Sequence, residues 1–180
     1  REYKTGKEVQ FLFFGRIDPY KGVDILTEAF LSLGKYSDIK LIIAGSGDIS
    51  KISETIGKMK NVEIVNRYIH DYEVDELFRR ENVVLVLPYK DATQSGVATV
   101  AFEYGVPVIA SNTGGLKEQL FDGKVGLLVK AGDTDDLATA MQRFLNEDGL
   151  YNKQVELMEE YRKDLGWNKI TGKLMEEVFA

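Results

Sequence analysis

The chain has 180 residues, with 23 Lys and Arg against 29 Asp and Glu and a formal charge of −6, a size that suits one domain with its own core. The acidic balance excludes broad nucleic-acid binding, which needs clustered cations, and the lack of Cys excludes disulfides, thiolate metal sites and cysteine nucleophiles. No apolar run reaches the roughly 18–20 residues of a membrane span. Because the chain begins at Arg1 and not at Met, we expect a piece of a longer protein, with a linker at 1–8 and a domain at 9–180.

Short apolar runs alternate with segments of helical periodicity along the chain. The predicted strands are Val9–Phe14, 40–44, Val62–Val65, Val83–Leu87, 106–110 and 125–129. The predicted helices are 21–33, 49–59, 71–80 with Asp71 as N-cap, 94–104, a turn at 116–121, a helix capped by Asp133 or Thr134, 151–165 and 167–179. This alternation predicts the α/β class, with a doubly wound, Rossmann-like parallel sheet of six strands and helices on both faces. Ligands of such sheets bind beyond the carboxyl ends of the strands.

The loop after the first strand is the first candidate site. Arg16 and Lys21, five positions apart behind Gly15, could converge on one anion at the start of a helix, whose free N–H groups and dipole favour negative charge. On spacing alone, two solvated surface cations are an equally good interpretation. The loop lacks the three glycines of the dinucleotide fingerprint, which disfavours a nicotinamide dehydrogenase.

The next two loops carry weaker signals. Residues 45–48 (GSGD) are interpreted as a tight turn. After the third strand, a flat base could lie against Ile69, next to Tyr68. His70 is the one imidazole of the sequence and is interpreted as structural or exposed, because an acid/base role needs a partner. Asp71 is interpreted as a helix cap in preference to a ligand contact, although one residue could serve as both.

The loop after the fourth strand leads into a helix through Thr93, Gln94, Ser95 and Gly96. These residues offer more polar groups than one helix cap uses, and the first N–H groups of a helix are open to an anion. An ordinary capped helix start is the alternative.

Four segments of the chain, FFGRIDPYKGVDILTEAF, LIIAGSGD, NRYIHDYEVDELFRRENVVLVLP and EYGVPVIASNTGGLKE, resemble one domain type. From Val9 to Phe144 they are similar, in collinear order, to the C-terminal donor-binding domain of retaining GT-B glycosyltransferases of family 4 (glycosyl transferases group 1). The segment 167–170 is similar to the last helix of that family.

The resemblance implies a hexosyltransferase that uses a UDP-, GDP- or ADP-sugar, with no metal and no other cofactor. It implies an acceptor glycan or lipid-linked sugar held by a missing N-terminal domain, so that this domain alone is inactive. It also implies a role in cell-surface polysaccharide or lipid-linked glycan synthesis, in the cytoplasm or in peripheral contact with the cytoplasmic face of the membrane.

The resemblance also implies roles for individual residues. Arg16 and Lys21 would stabilise the charge of the donor diphosphate as it departs. Ile69, with Tyr68 beside it, would pack the base and bond it through the backbone. Asp71 would add the base contact that some members have. Backbone amides of the segment 94–97 would hold the phosphate and the donor sugar. The donor-binding residues implied or suggested are Gly15, Tyr68, Ile69, Asp71, Thr93, Gln94, Ser95, Gly96, Val97, Thr99 and Glu103.

The chain departs from the family pattern at two glutamates, whose positions fall on Ala92 and Val100 when counted back without gaps. We expect a subgroup in which the segment 93–96 contacts the donor sugar through hydroxyl and amide groups. Thr99 or Glu103 would take over part of the ribose contact. The competing hypothesis is a degenerate nucleotide-binding or protein-interaction module without transferase activity. A sugar phosphorylase is disfavoured, because no segment matches the pyridoxal-bearing lysine of those enzymes.

Overall fold

A computed structural model describes residues 2–50, 52 and 54–164 of the chain. Its strands are β1 (Val9–Phe14), β2 (Ile39–Ala44), β3 (Val62–Val65), β4 (Val83–Leu87), β5 (Val108–Ser111) and β6 (Leu127–Val129). Strand β5 begins later than predicted because the Val106 N–H donates to the Ala101 carbonyl at 2.8 Å and so closes the preceding helix. Strand β6 is also shorter than predicted, because the Val125 N–H is used in a turn that ends on the Leu120 carbonyl, 3.3 Å away.

The six strands form one sheet in the order β3-β2-β1-β4-β5-β6, and every neighbouring pair is parallel. The chain therefore winds from β1 outward to β3, returns to the other side of β1, and winds outward again. The predicted doubly wound fold is confirmed. Connections leave β1 and β4 in opposite directions, which opens a crevice between their carboxyl ends.

Seven α-helices are found in the described residues. They are α1 (Val23–Ser32), α2 (Glu54–Gly57), α3 (Asp71–Phe78), α4 (Gly96–Tyr104), α5 (Leu116–Gln119), α6 (Thr134–Asn146) and α7 (Leu150–Asp164). A 3-10 turn at Pro19–Lys21 precedes α1, and another at Phe121–Gly123 follows α5. The predicted helix at 167–179 lies outside the described residues, as does the segment 167–170.

Three helix starts correct the sequence prediction. The helix predicted over 49–59 is reduced to α2, because the Asp48 carboxylate accepts the Ser50 N–H at 2.8 Å and makes a local turn instead. Helix α3 is capped by His70, whose backbone is extended, so Asp71 is its first helical residue and not its cap. Helix α4 begins at Gly96 and not at 94, because Ser95 is extended as well.

The predicted cap of α6 is confirmed at the first of its two candidate residues. The carboxylate of Asp133 accepts the Asp136 N–H at 2.9 Å. This bond satisfies one of the donors that a helix leaves open at its first turn.

The core lies on both faces of the sheet. All five residues of β4 are completely buried, as are Phe11, Leu12 and Phe13 of β1. Helix α1 packs against α6, and α6 in turn packs against β5 and β6. Such continuous apolar strands form where helices cover both faces of a parallel sheet. Within the part of the chain that the structure describes, no helix is long and apolar enough to cross a bilayer.

Candidate functional site

The loops after β1 and β4 are joined across the crevice at the centre of the sheet. The Lys90 N–H donates to the Tyr20 carbonyl at 2.7 Å, and the Lys90 ammonium pairs with Asp24 at 2.7 Å. These contacts hold the loop that carries Arg16 and Lys21 against the loop that leads into α4. The two candidate anion loops of the sequence therefore face one place.

Lys21 projects into this place from the 3-10 turn before α1. Its Nζ donates to the Tyr89 hydroxyl at 3.3 Å and lies 5.0 Å from the centre of the Tyr89 ring. A Cβ atom at Gly15 would lie 3.3 Å from this Nζ and 3.7 Å from a methyl group of Val97, so Gly15, Lys21 and the start of α4 are in contact. Burial lowers the pKa of Lys21, and the Asp18 carboxylate opposes that shift.

Arg16 is much more exposed than Lys21. Its side chain is 72% exposed and pairs with Asp18 at 2.9 Å. An exposed ion pair of this kind contributes about 0–1 kcal/mol. The guanidinium can therefore exchange Asp18 for an anionic ligand at little cost.

The start of α4 supplies N–H groups to the same place. Ser95 occupies the N-cap position without capping the helix, because its hydroxyl lies 3.3 Å from the Tyr89 hydroxyl. The first N–H groups of the helix are thereby left without a side-chain acceptor from the cap. The Gln119 side chain fixes this start, since it accepts the Ser95 N–H at 2.8 Å and donates to the Ser95 carbonyl at 3.1 Å.

A cavity of about 220 Å³ adjoins Gly15 at the carboxyl ends of β1, β2 and β3. It is lined by Phe14, Gly15, Arg16, Gly45, Ser46, Tyr68 and Ile69. Ile69 is buried, whereas Tyr68 is 61% exposed at the rim. The structure thus brings together four of the predicted site residues, namely Gly15, Arg16, Tyr68 and Ile69. The loop 45–48, interpreted from the sequence as a tight turn, also supplies Gly45 and Ser46 to the lining.

Next to this cavity, His70 belongs to an exposed aromatic row. Its ring stacks on Tyr72 at 5.8 Å with an interplanar angle of 7° and meets Tyr68 edge-on at 5.2 Å. The His70 N–H donates to the Glu73 carboxylate at 3.1 Å. Hydrogen bonds from Arg67, with a smaller contribution from the His70 N–H, lower the pKa of Glu73 to about 2. His70 thus occupies the N-cap position of α3 and is exposed. This agrees with its interpretation from the sequence as a structural or exposed residue.

Some predicted site residues are not brought to the crevice. Glu103 lies in the last turn of α4 and lines a different cavity, of about 840 Å³, with Glu81, Asn82 and Tyr104. At 1.5 Å per helical residue it lies about 10 Å along the axis from Gly96. This placement does not favour the ribose contact expected of Glu103, because a shared helix face does not bring the far end of α4 to the edge of the sheet where ligands bind.

The remaining predicted residues take intermediate places. Thr99 is buried within α4. Asp71 is exposed at the start of α3 and is not among the residues that line the 220 Å³ cavity. Thr93 and Gln94 are exposed beside Ser95, and the Thr93 carbonyl accepts the Gly115 N–H at 2.9 Å.

Sequence reasoning missed two residues that shape the site. Tyr89 is 1% exposed, and its hydroxyl links Lys21 to Ser95. Gln119 comes from α5, far along the chain, and no spacing rule connects it to Ser95. A polar aromatic residue two positions after the end of the buried strand β4 was an available signal for Tyr89, whereas Gln119 gave none.

The described residues contain no group of three His, Asp or Glu side chains placed to hold a metal ion.

Comparisons with known proteins agree with this architecture. The family model described as glycosyl transferases group 1 matches residues 1–164. A phosphatidyl-myo-inositol mannosyltransferase of Mycobacterium leprae is 30% identical over 176 residues, which cover 96% of this chain and 46% of that protein. The chain thus spans about half the length of this curated relative.

Solved structures share the fold. Sucrose-phosphate synthase from Thermosynechococcus elongatus superposes with a TM-score of 0.76 at 27% identity, over 96% of this chain and 46% of that one. The HepE protein of Anabaena, solved in complex with UDP-glucose, gives a TM-score of 0.73 at 18% identity, over 96% of this chain and 49% of that one. At that identity, the second likeness shows the fold alone.

Proposed function

The chain belongs to the glycosyl transferases group 1 family, and from this membership we propose that it is the donor-binding part of a retaining glycosyltransferase of family 4. The donor is a nucleotide-diphosphate sugar, and the acceptor is a glycan or lipid-linked sugar held by another part of the longer protein. Transfer by the whole protein would serve cell-surface polysaccharide or lipid-linked glycan synthesis at the cytoplasmic side of the membrane, and the chain alone would not transfer sugar.

One observation carries the proposal: a half-buried ammonium and a helix start without a side-chain cap meet at the switch point of the sheet. Lys21 Nζ and the Val97 side chain at the start of α4 both lie against Gly15, at the carboxyl end of β1. A diphosphate placed there gains a cation and helix N–H donors without any metal. Arg16 stands at the rim with an exchangeable partner.

The neighbouring 220 Å³ cavity suits the base of the same ligand. Its wall contains Phe14 and Ile69, and Gly15, which also lines it, lies against Lys21. A ligand with a flat base at one end and a diphosphate at the other spans these two places. In the reaction, Lys21 and Arg16 stabilise the charge that develops on the phosphate as the glycosidic bond to the sugar breaks.

The test is a titration of the 180-residue chain with UDP, GDP and ADP and with their nucleosides, followed by melting temperature and calorimetry. Binding to the native state stabilises it by about 2.7 kcal/mol at a hundredfold excess over Kd. We expect at least one diphosphate to bind more tightly than its nucleoside. A folded chain that responds to none of them refutes the donor site.

Arg16→Ala tests the phosphate contact, and Arg79→Ala is its matched control. Arg79 is also an exposed arginine, with its side chain 69% exposed and paired with Asp75, but it lines the cavity that contains Glu103. We expect the first variant to lose diphosphate affinity and the second to retain it. Anomer analysis by NMR of the product made by the longer protein tests the retaining mechanism.

A second candidate function is a nucleotide-binding module without transferase activity. It is favoured by Ala92 and Val100, which are 9% and 1% exposed where the family pattern has glutamates. Such a module would bind the diphosphate, but the longer protein would transfer no sugar. Turnover of a nucleotide sugar by that protein excludes it.

A further inference from the structure

Tyr89 stands between the two halves of the anion site and touches both. Its ring is 1% exposed, and its oxygen lies 3.3 Å from Lys21 Nζ and 3.3 Å from Ser95 Oγ. It is the first residue after Pro88, at the carboxyl end of β4, so the sheet itself fixes its backbone. Neither the family resemblance nor the spacing of charged residues pointed to it.

The proton arrangement of this chain of groups follows from its chemistry. An ammonium has donors and no acceptor, so the Tyr89 oxygen must accept from Lys21. The Tyr89 hydrogen is then available to Ser95 Oγ. Burial raises the pKa of Tyr89 to about 12, so the phenol keeps this hydrogen at neutral pH.

We propose that Tyr89 is a positioning residue for phosphate recognition, which holds the Lys21 ammonium in the crevice and keeps the Ser95 hydroxyl away from the start of α4. This inference rests on the proposed function, since it concerns the diphosphate part of that donor site. Tyr89 acts through its two neighbours and does not touch the ligand.

The hold on Lys21 has two components. The hydroxyl accepts one hydrogen bond, and the ring lies beneath the ammonium at a distance of 5.0 Å from its centre, within the range of a cation–π contact. Without such contacts, the flexible four-carbon side chain of a lysine populates many rotamers. With its end fixed, Lys21 loses less conformational freedom when a phosphate arrives.

The contact of Tyr89 with Ser95 leaves the start of α4 without a side-chain cap. Ser is a preferred N-cap residue because its oxygen accepts from an N–H of the first turn. Here that oxygen is bonded to Tyr89 and does not cap. The protein therefore gives up a cap, and the helix N–H groups stay available to an anion.

Tyr89→Phe separates these effects from packing, since it keeps the buried ring and removes the hydroxyl alone. UDP, GDP and ADP are first titrated against the wild-type chain, and the tightest of them is carried forward with its nucleoside. We expect Tyr89→Phe to weaken the diphosphate about three- to tenfold, the effect of one net hydrogen bond, and to leave the nucleoside unchanged. In this variant the Ser95 hydroxyl is free to cap α4, which offsets the lost hydrogen bond. We therefore expect the unliganded variant to melt at a temperature close to that of the wild type.

Two further readouts distinguish positioning from a structural role. Without the phenol oxygen the ammonium of Lys21 is less favoured, so the alkaline loss of diphosphate affinity should move to lower pH in Tyr89→Phe. In a Lys21→Met background, the effect of Tyr89→Phe should shrink, because residues that act through one another are not additive.

The outcomes are separable. If the wild type binds none of the three diphosphates, the donor site fails and this inference fails with it. If the wild type binds and Tyr89→Phe keeps its affinity and its alkaline limb, the role of Tyr89 alone is refuted. Full additivity with Lys21→Met likewise overturns the claim that Tyr89 acts through Lys21.

Discussion

Replacing Lys21 with methionine is the most direct test of the anion site. Methionine keeps an unbranched stem over the Tyr89 ring and removes the charge. The Tyr89 hydroxyl retains Ser95 as a partner, so no buried polar group is left alone. Because burial disfavours the ammonium of Lys21 and lowers its pKa, we expect Lys21→Met to unfold at the same temperature as the wild type or slightly above it.

The loss of ligand affinity follows from the type of bond removed. A hydrogen bond to a charged group contributes about 1.5–3 kcal/mol, and each 1.4 kcal/mol is one decade of Kd. Lys21→Met should therefore weaken binding of UDP, or of the preferred diphosphate, by about 10- to 150-fold. The nucleoside, which lacks the phosphates, should bind both proteins equally.

Isothermal titration calorimetry with the diphosphate and the nucleoside measures both quantities. Lys35→Met is the matched control: it makes the same change in net charge, and Lys35 lines a cavity with Asp38 and Ile39, at the start of β2. Equal diphosphate affinity in wild type and Lys21→Met would refute the assignment of Lys21. An equal loss in Lys35→Met would show that net charge, not position, governs binding.

The pH dependence of binding gives an independent check on Lys21. A phosphate needs the charged form of Lys21, and the pKa of this group is lowered from 10.5 by burial. Diphosphate affinity should therefore fall on the alkaline side at a pH below that of an ordinary lysine. Lys21→Met should lack this alkaline limb, and a variant that keeps it would contradict the assignment.

Three further predictions, the second with a matched control variant, test the fold. Hydrogen bonds from Arg80, and to a smaller extent from Lys40, lower the pKa of Glu63 to about 2. Chemical denaturation should therefore show about 1–2 kcal/mol of stability that is present above pH 4.5 and is lost as the pH falls toward 2. Glu63→Gln should lack this pH-dependent contribution. Gly114→Ala should destabilise by several kcal/mol and abolish diphosphate binding, because φ is +47° and the Cβ would lie 1.5 Å from a carbonyl oxygen of the β4–α4 loop. Gly132→Ala has a similar φ of +80° and open space, so denaturation should show a loss of only about 1 kcal/mol. Gln119→Ala should cost about 1–3 kcal/mol in the same assay and weaken the diphosphate, because it frees the start of α4.

The strands of the sheet could largely be predicted from the sequence. Runs such as Val83–Leu87 are apolar throughout because helices cover both faces of a parallel sheet, and that composition is visible without coordinates. Helix starts were less legible. Asp71 and Asp48 are both of a residue type that caps helices. Asp71 is instead the first helical residue, because His70 before it is extended, and Asp48 accepts the Ser50 N–H in a local turn.

The candidate site divides in the same way. Local spacing made Arg16 and Lys21 candidates, with solvated surface cations as an equal alternative, and the structure places Gly15 and Lys21 in contact with the start of α4. Glu103 lines a different cavity from the one beside Gly15, because helical periodicity gives the face of a residue and not its distance along the helix axis. Gln119 and the contact of Tyr89 with Lys21 were missed because these contacts join segments that are distant in the chain.

The sequence by itself determined the class of fold, the loops that bear charge and the family to which the chain is similar, because all of these depend on local composition and order. The tertiary structure alone decided which loops meet. The reversal of winding between β1 and β4 puts Lys21 beside the start of α4, and the Tyr89 hydroxyl lies 3.3 Å from both Lys21 Nζ and Ser95 Oγ. Such contacts depend on the packing of the sheet, and no local pattern of residues encodes them.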